Sequence, residues 1–255
     1  MIHDAFRVFI ALHITTGTVG ALCFWIPVIG RKGGEKHRFW GKVFTRVLLA
    51  TGSFALCMSV LTLTDPFATH PHLVGQFDAD FIRGIFGWMM MHLAILTLNL
   101  TWYGWQCVRY KQDRSAMREW RNIALQPLLI AAALNCAIQG WLIGQFLMVA
   151  ISFVGFATAG TNLWFLYKPK AGLKDWQKEH LKALVGSGIS VYTAFMAFGS
   201  IRILPALALN PIMWAIPLTT GVSIILWHWW RLDGGYRHYA GMVRRLFRKA
   251  SASGT

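Results

Sequence analysis

The connections between the long apolar stretches of this chain alternate between strongly basic and nearly base-free, which constrains the fold more than any other feature. Seven such stretches occupy residues 9–29, 43–63, 84–108, 122–138, 144–167, 183–204 and 212–230. Most reach the ~20 residues needed to cross a ~30 Å hydrocarbon layer; residues 122–138 form the shortest. The segments after the first, third, fifth and seventh stretches hold 22 of the 25 lysines and arginines, leaving Arg7, Arg83 and Arg202 on the other side. Basic residues accumulate on the cytoplasmic side, so the expected topology has the N-terminus outside and the C-terminus inside. The predicted fold class is an all-α integral membrane bundle of seven transmembrane helices. Its domain spans residues 1–235, followed by a basic tail at 236–255.

Composition agrees with this reading. The chain is 55% hydrophobic, and a soluble domain of 255 residues would break such runs with polar faces. Tryptophans cluster at the ends of the stretches, as interfacial belts do: Trp25, Trp102, Trp105 and Trp164 at inner ends, Trp88, Trp141 and Trp214 at outer ends. The net charge of +15 is spread over four loops and the tail on one face, which points to the bilayer and its anionic lipid headgroups and away from nucleic acid. In the tail, Tyr239, Met242, Val243, Leu246 and Phe247 alternate with arginines at helical spacing, the pattern of a surface-lying amphipathic helix. No cleavage site follows the first stretch, so it is expected to stay as a span. Cys23, Cys57, Cys107 and Cys136 are isolated and read as packing residues. Small residues mark close-packed faces: Gly186, Ser190 and Ala194 in the sixth span, Gly155 and Ala159 in the fifth.

The few polar side chains in the spans carry the functional question. Two of the nine histidines, His13 and His92, lie in the first and third stretches. At ~1.5 Å per residue both fall roughly 7–12 Å deep from the outer side. Imidazoles at matched height on two helices suit the axial ligands of a haem b. Gly17 and Gly20 leave the His13 face bare enough for a flat macrocycle, and Arg7 and Arg83 stand near the outer ends, where propionates would meet them. The same residues admit a plainer reading. The glycines would then serve helix packing, the arginines would pair with Asp4, Asp78 or Asp80, and the histidines would only hydrogen-bond. His37, His180 and His228 near the inner face form a second candidate ligand set. His70 and His72 in the outer loop form a weak His-x-His metal pattern, and His3 and His238 are expected to be solvated. Asn99, Asn135, Gln139, Asn162 and Tyr192 must find partners within the bundle, because lipid offers none. No acidic residue falls within the apolar stretches, which argues against a carrier built on a buried carboxylate. Phosphate loops, dinucleotide fingerprints, nucleophile elbows and His-Glu-x-x-His zinc sites are absent.

Leu12-His13-Ile14-Thr15-Thr16-Gly17, followed after a basic turn by His37-Arg38-Phe39-Trp40-Gly41-Lys42, resembles a bacterial family of multi-pass membrane proteins of unknown function (the domain of unknown function 2306 type). The likeness covers about the first fifth of the chain, and Lys42 stands where that family tends to carry arginine. It implies a protein of the bacterial inner membrane and draws attention to His13 and His37, without implying an activity. The residues themselves leave three functions open. The first is haem binding with electron transfer, exchanging with a quinone or a redox partner protein. The second is a non-catalytic assembly or partner subunit of a membrane complex. The third is a carrier for a small solute.

Overall fold

The computed structural model describes residues 1–199 and 210–234, and all regular structure among them is helical. The helices are α1 (Ile2–Ile29), α2 (Glu35–Thr64), the short α3 (Pro66–Thr69) and α4 (Ala79–Ile82), α5 (Met90–Tyr110), α6 (Trp120–Leu142), α7 (Phe146–Tyr167), α8 (Asp175–Ala194) and α9 (Pro211–Leu232). A π-helical turn, Arg83–Met89, joins α4 to α5, so Ala79–Tyr110 is one span; α8 continues through a second such turn, Phe195–Gly199. Seven helices are thus long and apolar enough to cross a membrane, including the short fourth stretch, whose helix α6 extends to 23 residues. Arg202, His238 and the amphipathic tail lie outside the described residues.

Several helices run past the apolar stretches. The second span begins at Glu35, eight residues before residue 43, and α8 begins at Asp175, eight before residue 183. Hydropathy registers only the part of a helix that meets hydrocarbon, whereas the backbone ladder continues through the interface. The difference matters, because it brings His37, Glu179, His180 and Lys182 onto span helices.

Helix α5 is the axis of the bundle. Its span is 56% buried against 22–33% for the others. It packs against α2 and α8 on one side and α6 and α7 on the other, while α1 lies on α2 and α9 on α8. Small residues set these approaches. A Cβ on Gly52 of α2 would lie 2.9 Å from Leu98, and one on Gly104 of α5 would lie 2.8 Å from Leu184 of α8. Gly155 and Ala159 of α7 do turn inward as the spacing suggested, with Ala159 fully buried. In the outer loop Asp65 caps α3 by accepting from the Ala68 N–H at 2.9 Å, and Asp78 caps α4 by accepting from the Phe81 N–H at 2.7 Å. The four cysteines are free thiols.

Candidate functional site

The outer pair is not brought together. His13 faces α2, where its Nδ1–H donates to the Thr51 carbonyl at 3.1 Å. Gly17 and Gly20 continue that face. A Cβ on Gly20 would stand 2.5 Å from Leu48, so the bare strip is filled by α2 and not by a macrocycle. His92 is fully buried on the opposite side of α5. Leu98, six positions on and therefore ~240° around the helix, turns its side chain toward Gly52 of α2. His92 accordingly points away from α1 and α2. Its ring lies against Gly155 of α7, where a Cβ would meet Cε1 at 2.5 Å, and neither ring nitrogen has a well-formed hydrogen bond, although the Ile151 backbone is close by. Arg83 donates to the Leu63 carbonyl at 3.3 Å and meets Asp80 at 3.5 Å, while Arg7 stays exposed at the outer end of α1. The plainer reading describes His13, Gly17, Gly20 and Arg83; among the described residues Arg7 forms no ion pair and His92 has no well-formed hydrogen bond.

The inner histidines behave differently. His37, at the start of α2, and His180, in the first turns of α8, face each other with ring centroids 6.4 Å apart and planes at 70°. Each is tied at Nδ1 to a backbone carbonyl: His37 to Pro27 at 3.1 Å and His180 to Gly104 at 3.0 Å. A carbonyl only accepts, so both Nδ1 atoms carry the proton and both Nε2 atoms keep a lone pair. An Nδ1–H held by a carbonyl is the usual outer-shell arrangement of a ligating histidine.

Local sequence explains both anchors. Helix α1 ends at Ile29, so carbonyls of its last turn lack intrahelical donors. The Lys32 ammonium takes up two of them, Pro27 at 2.8 Å and Val28, and His37 shares the first. On the other side, Gly104 has no side chain to hold α8 away, so His180 reaches its carbonyl. His228 is half-buried on α9, with Lys32 and Arg231 as its charged neighbours. It does not complete a triad: among the described residues no three His, Cys, Asp or Glu side chains are grouped to hold a metal ion.

Two polar groups hold a member that escaped the hydropathy reading, Glu179 in one and Gln126 in the other. Glu179 accepts from the Tyr103 hydroxyl at 2.9 Å and pairs with Lys182 at 2.5 Å, with side chains only 14% and 16% exposed. A carboxylate therefore does sit in a span helix; the Glu179-His180-x-Lys182 spacing just ahead of residue 183 was its only signal. The second group joins α5, α6 and α7. Asn162 donates to Asn99 at 3.0 Å and to Gln126 at 3.2 Å, Asn99 donates to the Leu125 carbonyl at 3.1 Å, and all three amides are fully buried. Tyr192 finds its partners too, donating to the Ala21 carbonyl and accepting from Trp25.

The outer-loop histidines pack as aromatic side chains. His70 stacks on Phe86 with centroids 4.4 Å apart, meets Phe6 at 5.2 Å, and has the Thr69 hydroxyl 3.0 Å from Nδ1. Burial, with a smaller push from His72, moves its pKa down to about 4. His3 is exposed as expected and donates to the Ala68 carbonyl.

Comparison of the chain with protein-family models, with curated proteins and with solved structures found no match.

Proposed function

We propose that this chain binds a b-type haem between His37 and His180 in the inner half of the bundle and serves one-electron transfer, exchanging with a membrane quinone or a redox protein. The observation that carries the reading is the facing pair of imidazoles with both Nδ1 protons fixed by carbonyls. Two imidazoles on one metal at ~2.0–2.1 Å place their centroids roughly 5–6.5 Å apart, a range that includes the observed separation. The surroundings suit the group. Phe24, Phe44 and Trp40 belong to an apolar cluster that also takes in Leu181, next to His180 on α8, and Lys32 and Arg231 bring positive charge that propionates would meet. Iron held by two histidines is low-spin and moves single electrons. The residues here would orient the ligand nitrogens, exclude lipid and water, and neutralise acidic substituents.

Purified protein from haem-sufficient cells should show a Soret band with sharp reduced bands. His37→Ala and His180→Ala should each abolish or broaden them, while His13→Ala and His92→Ala leave them intact. Pure, folded protein with no such absorption and no bound transition metal would defeat the reading and favour a partner subunit whose histidines only hydrogen-bond.

The location is part of the same proposal: a bacterial inner membrane, supported by the resemblance of the first two spans, with the N-terminus outside, supported by the 22-to-3 division of basic residues. A reporter that fluoresces only in the cytoplasm should light up when fused after Thr255 and stay dark after Gly75. Signal from the Gly75 fusion reverses the orientation.

A further inference from the structure

Seven buried side-chain atoms among the described residues lack a well-formed hydrogen bond, and three of them are amide oxygens on one seam: Gln106 Oε1, Asn122 Oδ1 and Asn162 Oδ1. Their residues are fully buried. An amide oxygen buried without a donor costs about 1–3 kcal/mol, and clustering such atoms on one interface has a common remedy in bound water. The seam is continuous. Glu119, half-exposed at the cytoplasmic end of α6, accepts from Gln106. One turn into α6, Asn122 accepts through its backbone carbonyl from Gln126 at 3.0 Å, and Gln126 and Asn99 both accept from Asn162. Asn99 stands eleven residues from the Tyr110 end of α5, ~16 Å or half the depth of a ~30 Å core. Beyond it Leu96, Leu129 and Ala159 close the path with buried apolar surface, and His92 lies on the far side of that plug.

We propose that α5, α6 and α7 enclose a file of bound water open at Glu119 and ending at Asn162, a hydrated half-channel that lets water reach mid-membrane from the Glu119 end of α6. The orphan oxygens accept from the waters. The inference uses none of the residues of the haem proposal and stands or falls separately.

Two measurements on the full-length protein in lipid nanodiscs test it. X-ray-generated hydroxyl radicals label side chains that touch bound water even when bulk solvent cannot reach them. Met117, Met89 and Met148 are all fully buried, but only Met117 adjoins the seam, its carbonyl accepting from the Asn122 side-chain amide at 2.8 Å. Met117 should oxidise about ten-fold faster than the other two, because only it has internal water beside it; equal protection of all three overturns the proposal. The deep end is tested by Asn162→Asp and infrared spectroscopy. The new carboxyl should be ionised at neutral pH, or should show a protonated band that shifts within minutes of transfer to heavy water. A protonated band that persists for hours means a dry seam and overturns the half-channel. If that variant does not fold, the methionine labelling of the natural protein decides alone.

Discussion

The half of this bundle that holds His13 and His92 and the half that holds His37 and His180 both carry histidines on separate helices, yet only the second makes them neighbours. His13 and His92 are matched in height and turned away from each other, because α2 lies between α1 and α5 and takes the His13 face for itself. His37 and His180 meet because the end of α1 and the bare backbone of Gly104 offer carbonyls on the two sides of one space. Position along an apolar stretch fixes how deep a side chain sits, but its direction around the helix is set by which neighbour packs there.

The largest expected contrast is therefore spectral. Alanine at His37 or His180 should remove a bound haem, and alanine at His13 or His92 should not. Loss of the chromophore on His92→Ala with retention on His180→Ala would reverse the comparison.

The outer half should instead reveal itself through acid sensitivity. His70 is buried neutral, with a pKa of about 4 against an ordinary 6.5, so the folded state binds fewer protons than the unfolded state between those values. Stability from this group is fully present above pH 6.5, declines as pH falls, and is gone by about pH 4, a loss on the order of 3 kcal/mol. Thermal melts in detergent from pH 7 to 4 should show the decline, and His70→Phe, which keeps a ring on Phe86, should flatten it. An unchanged slope in that variant would mean the acid sensitivity arises elsewhere.

Glycine substitutions probe the two halves through packing. Gly104→Leu and Gly155→Leu should each cost about 1–3 kcal/mol by overpacking. The first must push α8 off α5 and so should also weaken cofactor retention, because Leu184 and Ala183 already lie within 3.0 Å of a Cβ there. The second crowds His92 and should leave the inner site loaded. Equal effects on retention would show that the halves are not independent. Smallest is Tyr103→Phe, which removes one donor from the buried Glu179 while Lys182 stays; about 1–2 kcal/mol is expected in denaturant titration.

Much of the architecture was legible in the chain. Seven helices long and apolar enough to cross a membrane follow from hydropathy, because a lipid core calls for long apolar helices whatever their partners. The inward small-residue face at Gly155 and Ala159 was legible for a similar reason. The helix starts were not: Glu35 and Asp175 begin spans inside segments that read as loops, since polar residues extend a helix through the interface without raising its hydropathy. That concealed Glu179 and placed His180 outside the bundle.

What the sequence determined by itself is the set of long apolar helices and the order of polar side chains along each, because both depend on one-dimensional order and a fixed rise per residue. What only the tertiary structure decided is which polar groups share a space. Gly20 could have bared a face for a cofactor or for Leu48, and Asn99 could have turned to lipid, to α2 or to Asn162. Those outcomes depend on rotation and helix order, which are settled by packing among all seven helices at once and leave no local mark in the chain.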